Sequence, residues 1–91
     1  KNESKIVIIN AYPNPASDRI MFDLNGLIST NNSIKIYDIN GRLIDFRANI
    51  SNGIIEISTK EFRIGNYYFT IEEDNNNVAS GKFIIAYWFV L

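Results

Sequence analysis

Residues 33–44 read Ser33-Ile34-Lys35-Ile36-Tyr37-Asp38-Ile39-Asn40-Gly41-Arg42-Leu43-Ile44, and the fold turns on this stretch. Ile34 and Ile36 alternate with Lys35 and Tyr37, the period-2 pattern of a strand with one buried face. Asp38 and Gly41 occupy the first and fourth positions of a type I turn, where both are favoured. Asn40-Gly41 alone would instead make a two-residue type I′ turn. The two turns differ in register, so the pattern predicts a hairpin and leaves its register open. A hairpin with one apolar face needs further strands to pack against.

Short strands are what the rest of the chain offers. Residues 5–11 carry Ile6, Val7, Ile8 and Ile9, a β-branched run suited to a strand buried on both faces. Tyr12-Pro13-Asn14-Pro15-Ala16 excludes helix, because proline removes an amide donor and restricts its predecessor. Over 19–24, Ile20, Phe22 and Leu24 alternate with Arg19, Met21 and Asp23, a half-buried strand. Asn25-Gly26 and the polar residues 29–33 mark a loop. The second arm of the hairpin is expected to run to Asn49 with Ile44 and Phe46 inward. Asn52-Gly53 reads as a turn, followed by a strand with Ile55 and Ile57 inside.

Ser58-Thr59-Lys60-Glu61 has capping-box spacing, but Gly65 leaves room for one helical turn at most, from which Phe62 would plug the core. Residues 66–73 then alternate cleanly, Tyr67, Phe69 and Ile71 inward and Tyr68, Thr70 and Glu72 outward. Asp74-Asn75-Asn76-Asn77 is a polar hairpin loop, and 78–91 the last strand. Seven strands without a sustained helical period predict an all-β sandwich. Its expected core is Ile20, Phe22, Ile34, Ile36, Phe46, Ile57, Tyr67, Phe69 and Ile71.

Composition narrows function. The 91 residues are 46% hydrophobic and 21% charged with a net charge of -1, a globular profile without the basic footprint of a nucleic-acid binder. The length suits one domain, and no apolar run approaches the ~20 residues of a membrane-spanning helix. There is no histidine and no cysteine, so the commonest general base and the thiol nucleophile are missing. Glu72, Glu73 and Asp74 are consecutive, and strand alternation points neighbours apart; they read as solvated charges at a hairpin end. The loop at 74–77 has oxygen ligands but no EF-hand spacing, and Gly26, Gly41, Gly53 and Gly65 form no phosphate loop. No enzyme, metal or cofactor is expected. The chain starts at Lys1 without a basic-then-apolar leader, and is expected to be a piece excised from a longer secreted protein.

The order of the motifs adds a family. Tyr12-Pro13-Asn14-Pro15-Ala16, then Ile36-Tyr37-Asp38 with Gly41-Arg42-Leu43, then Gly65-x-Tyr67 leading to Ile71, then Gly81-Lys82-Phe83-Ile84 resembles the C-terminal sorting domain of the type IX (Por) secretion system of Bacteroidetes. The resemblance spans residues 12–85. It implies a seven-stranded immunoglobulin-like β-sandwich at the C-terminus of a cargo protein, one domain over 1–91. Such a domain carries cargo through the periplasm and the outer-membrane translocon, and a sortase then removes it, leaving cargo on the surface or released. The implied partners are translocon and sortase proteins.

Pro13, Asn14, Pro15, Gly41, Arg42, Gly65, Tyr67, Lys82, Phe83 and Ile84 are the candidate recognition residues. Turn and core demands account for several of them; Arg42, Lys82 and the final strand have no packing reason to be as they are. Residues 84–91, Ile-Ile-Ala-Tyr-Trp-Phe-Val-Leu, depart from the family in carrying no charge. An apolar strand edge of that length would pair with another chain, either the machinery or a second copy. The rival reading is an accessory module gripping carbohydrate on exposed Tyr12, Tyr37, Tyr67, Tyr68, Tyr87 and Trp88. Exposed aromatics in a row would favour it, and buried aromatics with an accessible terminal strand would favour sorting.

Overall fold

The hairpin forms, and one carboxylate settles its register. In the computed structural model, which describes residues 9–27, 31–51 and 53–87, strands β3 (Asn32–Asp38) and β4 (Leu43–Ile50) pair antiparallel. The Gly41 N–H donates to the Asp38 carbonyl at 3.0 Å, closing a four-residue turn, and Gly41 takes φ +83°, where a side chain would be strained. Asn40 is not among the positive-φ residues, so the two-residue alternative is not the one used.

Around this pair lie β1 (Asn10–Tyr12), β2 (Arg19–Asp23), β5 (Ile54–Ser58), β6 (Gly65–Glu73) and β7 (Asn76–Ile85). The described residues thus form seven strands in two antiparallel sheets, β1-β2-β5 and β4-β3-β6-β7, an immunoglobulin-like sandwich. Ile20, Phe22 and Ile57 of the smaller sheet face Ile34, Ile36, Tyr67, Phe69, Ile71, Phe83 and Ile85 of the larger, all buried. Each such side chain contributes about 1.5–3 kcal/mol by leaving water.

Alternation placed eight of the nine expected core residues, and Phe46 is the correction. Phe46 is 48% exposed, and Ile44 is exposed too. The register slips between Ile36, opposite Asp45, and Tyr37, opposite Leu43, so Ile44 has no partner of its own. That extra residue reverses the phase of the strand. Asp45 and Arg47 therefore stand opposite the buried Ile36 and Ile34. Phe46 stands opposite Lys35 on the outer face, with the Lys35 ammonium 5.9 Å from its ring.

The ends of elements differ in smaller ways. Asp74 and Asn75 both have positive φ, which makes the polar loop a two-residue turn and puts Asn76 and Asn77 in β7. Glu73 is buried rather than solvated, because it falls on the inward phase of β6; Glu72 points out and meets Lys35 at 3.9 Å. The last strand ends at Ile85, not at Leu91, and Trp88, Phe89, Val90 and Leu91 lie outside the described residues. So do Ile6, Val7 and Ile8 of the first expected strand, Ser29 and Thr30 of the expected loop, and Asn52 of the expected turn.

Candidate functional site

The four motifs converge on one end of the sandwich. Asp38, at the end of β3, is opposite Tyr67; Tyr67 is opposite Phe83, and Gly65 is opposite Ile85. On the other sheet Arg19 opens β2 opposite Ser58, which closes β5. The turn at 39–42, the loop at 59–64, the segment at 13–18 and residues 84–87 thus share one pole.

There the proline motif clasps the last strand. The Asn14 side-chain oxygen accepts from the Ile84 N–H at 3.0 Å. Ala16 donates to the Ile84 carbonyl at 2.8 Å and accepts from the Ala86 N–H at 2.9 Å, making a parallel bridge between Ala16 and Ile85. Residues far apart in sequence are joined by backbone groups that an edge strand would otherwise leave open. The strand stops at Ile85 for the same reason: Ala86 has turned to Ala16. Beyond it, the Tyr87 hydroxyl lies 2.7 Å from the Phe62 carbonyl and 3.2 Å from that of Thr59.

The loop at 59–64 is held from three sides. Thr59, fully buried, donates its hydroxyl to the Ser17 carbonyl at 2.7 Å and its N–H to Asp18 at 2.8 Å. The Phe62 N–H closes a turn onto Thr59 at 3.0 Å, so the capping-box spacing is used for a tight turn without a helix. Phe62 packs its ring 5.1 Å from Tyr67. Tyr67 donates its hydroxyl to the Arg63 carbonyl at 2.7 Å, the geometry of a tyrosine corner. Burial pushes its pKa up, so it remains a donor. Gly65, at φ +150°, turns the chain into β6. Thr59 and Tyr87 are anchors that local patterning could not single out, since their partners are distant in sequence.

The turn at 38–42 is pinned by Asp38. Its carboxylate accepts from the Arg42 N–H and the Asn40 N–H, both at 2.9 Å, and from the Arg42 Nε at 3.2 Å. The Arg42 backbone bond is the main reason that its pKa lies below the ordinary aspartate value, with the Asn40 bond and the Arg42 charge acting in the same direction. A depressed folded-state pKa stabilises the fold above the unfolded value, and that contribution is lost as pH falls through the folded value. The melting temperature of Asp38→Ala should accordingly trail the native chain's at neutral pH and close on it well below pH ~3.9. A gap that stays constant through acid would show that the carboxylate charge is not what holds the turn.

The other sequence-predicted residues fall in two groups. Tyr67 and Phe83 are core, stacked with ring centres 5.7 Å apart. Pro13, Asn14, Pro15, Arg42, Lys82 and Ile84 are exposed, Lys82 opposite Tyr68 on the outer face of the larger sheet. Among the described residues, aromatic ring contacts join only Phe22, Phe62, Tyr67, Phe69 and Phe83, four of them buried and Phe62 half-buried against the core. Tyr37 and Tyr68 are opposite each other on the outer face but do not assemble a ring platform. No group of three or more acidic side chains placed to hold a metal occurs among the described residues.

Residues 10–86 match the secretion system C-terminal sorting domain family. The chain belongs to this family. It is a sorting domain of the Por, or type IX, secretion system, a non-catalytic signal that engages the secretion machinery and marks a secreted or surface protein. An endo-acting ulvan lyase of Formosa agariphila is 31% identical over 78 residues, which are 85% of this chain and 14% of that protein. The sorting domain therefore spans about a seventh of the relative's length.

Proposed function

We propose that this sorting domain forms the C-terminal part of a longer secreted protein, carries that cargo through the outer-membrane translocon, and presents it to a sortase for surface attachment or release. The relative's name makes a polymer-degrading lyase one kind of cargo. The observation that carries the reading is the convergence of all four motifs on one pole, where Asn14 and Ala16 are bonded to Ile84 and Ala86. In this reading Arg42, Lys82 and the exposed proline segment meet the machinery. Tyr67, Phe83, Gly41 and Gly65 act through the shape they give that pole, and Ile84 through the clasp.

The test is a reporter with an exporting leader, fused ahead of this domain, in a bacterium possessing the system. Protease-accessible reporter is expected on the cell surface of the parent strain, and reporter held in the periplasm in a strain lacking the translocon. Equal distribution in the two strains would refute the assignment. Deleting residues 82–91 is a poor control, because it also removes the buried Phe83 and Ile85.

A further inference from the structure

The sequence holds three Asn-Gly pairs, Asn25-Gly26, Asn40-Gly41 and Asn52-Gly53. Asparagine is thermolabile in general, and it is most open to attack by the next amide where that residue is glycine, which has no Cβ to crowd the nitrogen. We propose that the fold makes Asn25-Gly26 a deamidation site, whose isoaspartyl product loosens the turn after β2, and that it shields Asn40-Gly41. Nothing in this chemistry depends on the sorting function.

The reaction needs only water. The Gly26 nitrogen gives up its proton and attacks the Asn25 side-chain carbon, Cγ. The new C–N bond replaces the bond from Cγ to Nδ2, which leaves with that proton as ammonia. The cyclic imide so formed takes up one water at either of its carbonyls, giving an aspartyl or an isoaspartyl residue. A nitrogen whose N–H is held by a carbonyl must first break that hydrogen bond. The place of glycine in each turn therefore sets its reactivity.

The first two pairs sit one position apart in their turns. In the turn at 38–41 glycine comes last, and the Gly41 N–H is the donor that closes it onto the Asp38 carbonyl at 3.0 Å. In the turn at 24–27 the closing donor is Leu27, bonded to the Leu24 carbonyl at 3.0 Å. Gly26 is then the third residue, whose N–H a β-turn leaves free, and it donates to nothing among the described residues. Each asparagine N–H is bonded to the aspartate two residues before it, Asp23 or Asp38, so the glycine N–H is what differs. Asn25 and Gly26 are both exposed, and water reaches them. Asn52 lies outside the described residues. Leu24 and Leu27, on either side of the pair, are buried, and the Leu24 N–H is bonded to the Gly53 carbonyl at 2.6 Å. An isoaspartyl residue routes the main chain through the former side-chain carbon. The extra atom falls between two fixed anchors and draws a leucine from its place.

The experiment holds the purified chain at mildly alkaline pH and follows peptides covering the two sites by mass spectrometry. Asn25 is expected to convert several-fold faster than Asn40 in the native chain. In urea, where neither glycine N–H is held, the two should convert at similar rates. Equal native rates, or faster loss at Asn40, overturn the assignment. So does conversion at neither site over a period in which the unfolded chain converts both. Gly26→Ala should slow the loss at Asn25 and leave that at Asn40 unchanged. After ageing, the native chain should melt below its fresh value, and Asn25→Gln aged alongside it should keep more of its melting temperature. Isoaspartate at position 25 without any fall in melting temperature would mean that the turn absorbs the extra atom, and would overturn the loosening.

Discussion

Replacing Phe69 by alanine is expected to remove about 3–5 kcal/mol of stability, a large share of the 5–15 kcal/mol typical of a small domain. Phe69 is buried with its ring 4.9 Å from Phe22, edge to face, and 6.5 Å from Phe83. It thereby joins the two sheets. The ring also lies over Gly81, directly opposite on β7, two of its atoms being 2.7 and 2.9 Å from where a Cβ on Gly81 would stand. Gly81 has no side chain with which to refill the space, so the void would remain, and residual void volume is what takes such losses to the top of their range. Urea unfolding should show a lower midpoint with an unchanged slope. A loss under about 1 kcal/mol would mean that the sheets close over the gap.

Phe69 was legible as core because β6 keeps strict alternation from Tyr67 to Ile71, and the same holds for Ile20 and Phe22 on β2. Phe46 was not legible. Its alternation with Ile44 is regular in sequence, but the slip opposite Ile36 and Tyr37 depends on how two strands pair, and neither strand records that alone. The turn was ambiguous because Asp38 and Asn40-Gly41 support different reversals; the three bonds to the Asp38 carboxylate chose between them. The last strand looked long because Ile84 to Leu91 are all apolar, whereas its end is set by Ala16 and Phe62, which lie far off in the chain. The same physics limits the reading of the site. Each motif could be found by its own residues, but the pole exists only through pairings such as Asn14 with Ile84.

Asp45→Val with Arg47→Val is expected to turn a dispersed domain into a self-associating one. β4 is an edge of the larger sheet, with Leu43, Ile44 and Phe46 all exposed, and an exposed apolar edge is a template for another strand. Two features oppose that pairing. Register slips on both sides confine regular pairing to Asp45, Phe46 and Arg47, with Asn49 at φ 57° bending the far end. Within that segment the core-facing positions are charged, Asp45 and Arg47 lying 3.4 Å apart. A strand added here would bring its own residues over that charged pair, and inward charges of this kind are how sheets guard their edges. The pair contributes little to stability, about 0–1 kcal/mol for an exposed contact, so removing it should spare the fold. Light scattering on the purified domain should show dimers or larger species for the valine variant, at concentrations where the native chain scatters as a smaller particle. Equal mass for the two would move the protection to the slips in register alone. If the charges are the guard, β4 is closed to partners by its own sequence, as the end of β7 is by the Asn14–Ala16 clasp at Ile84.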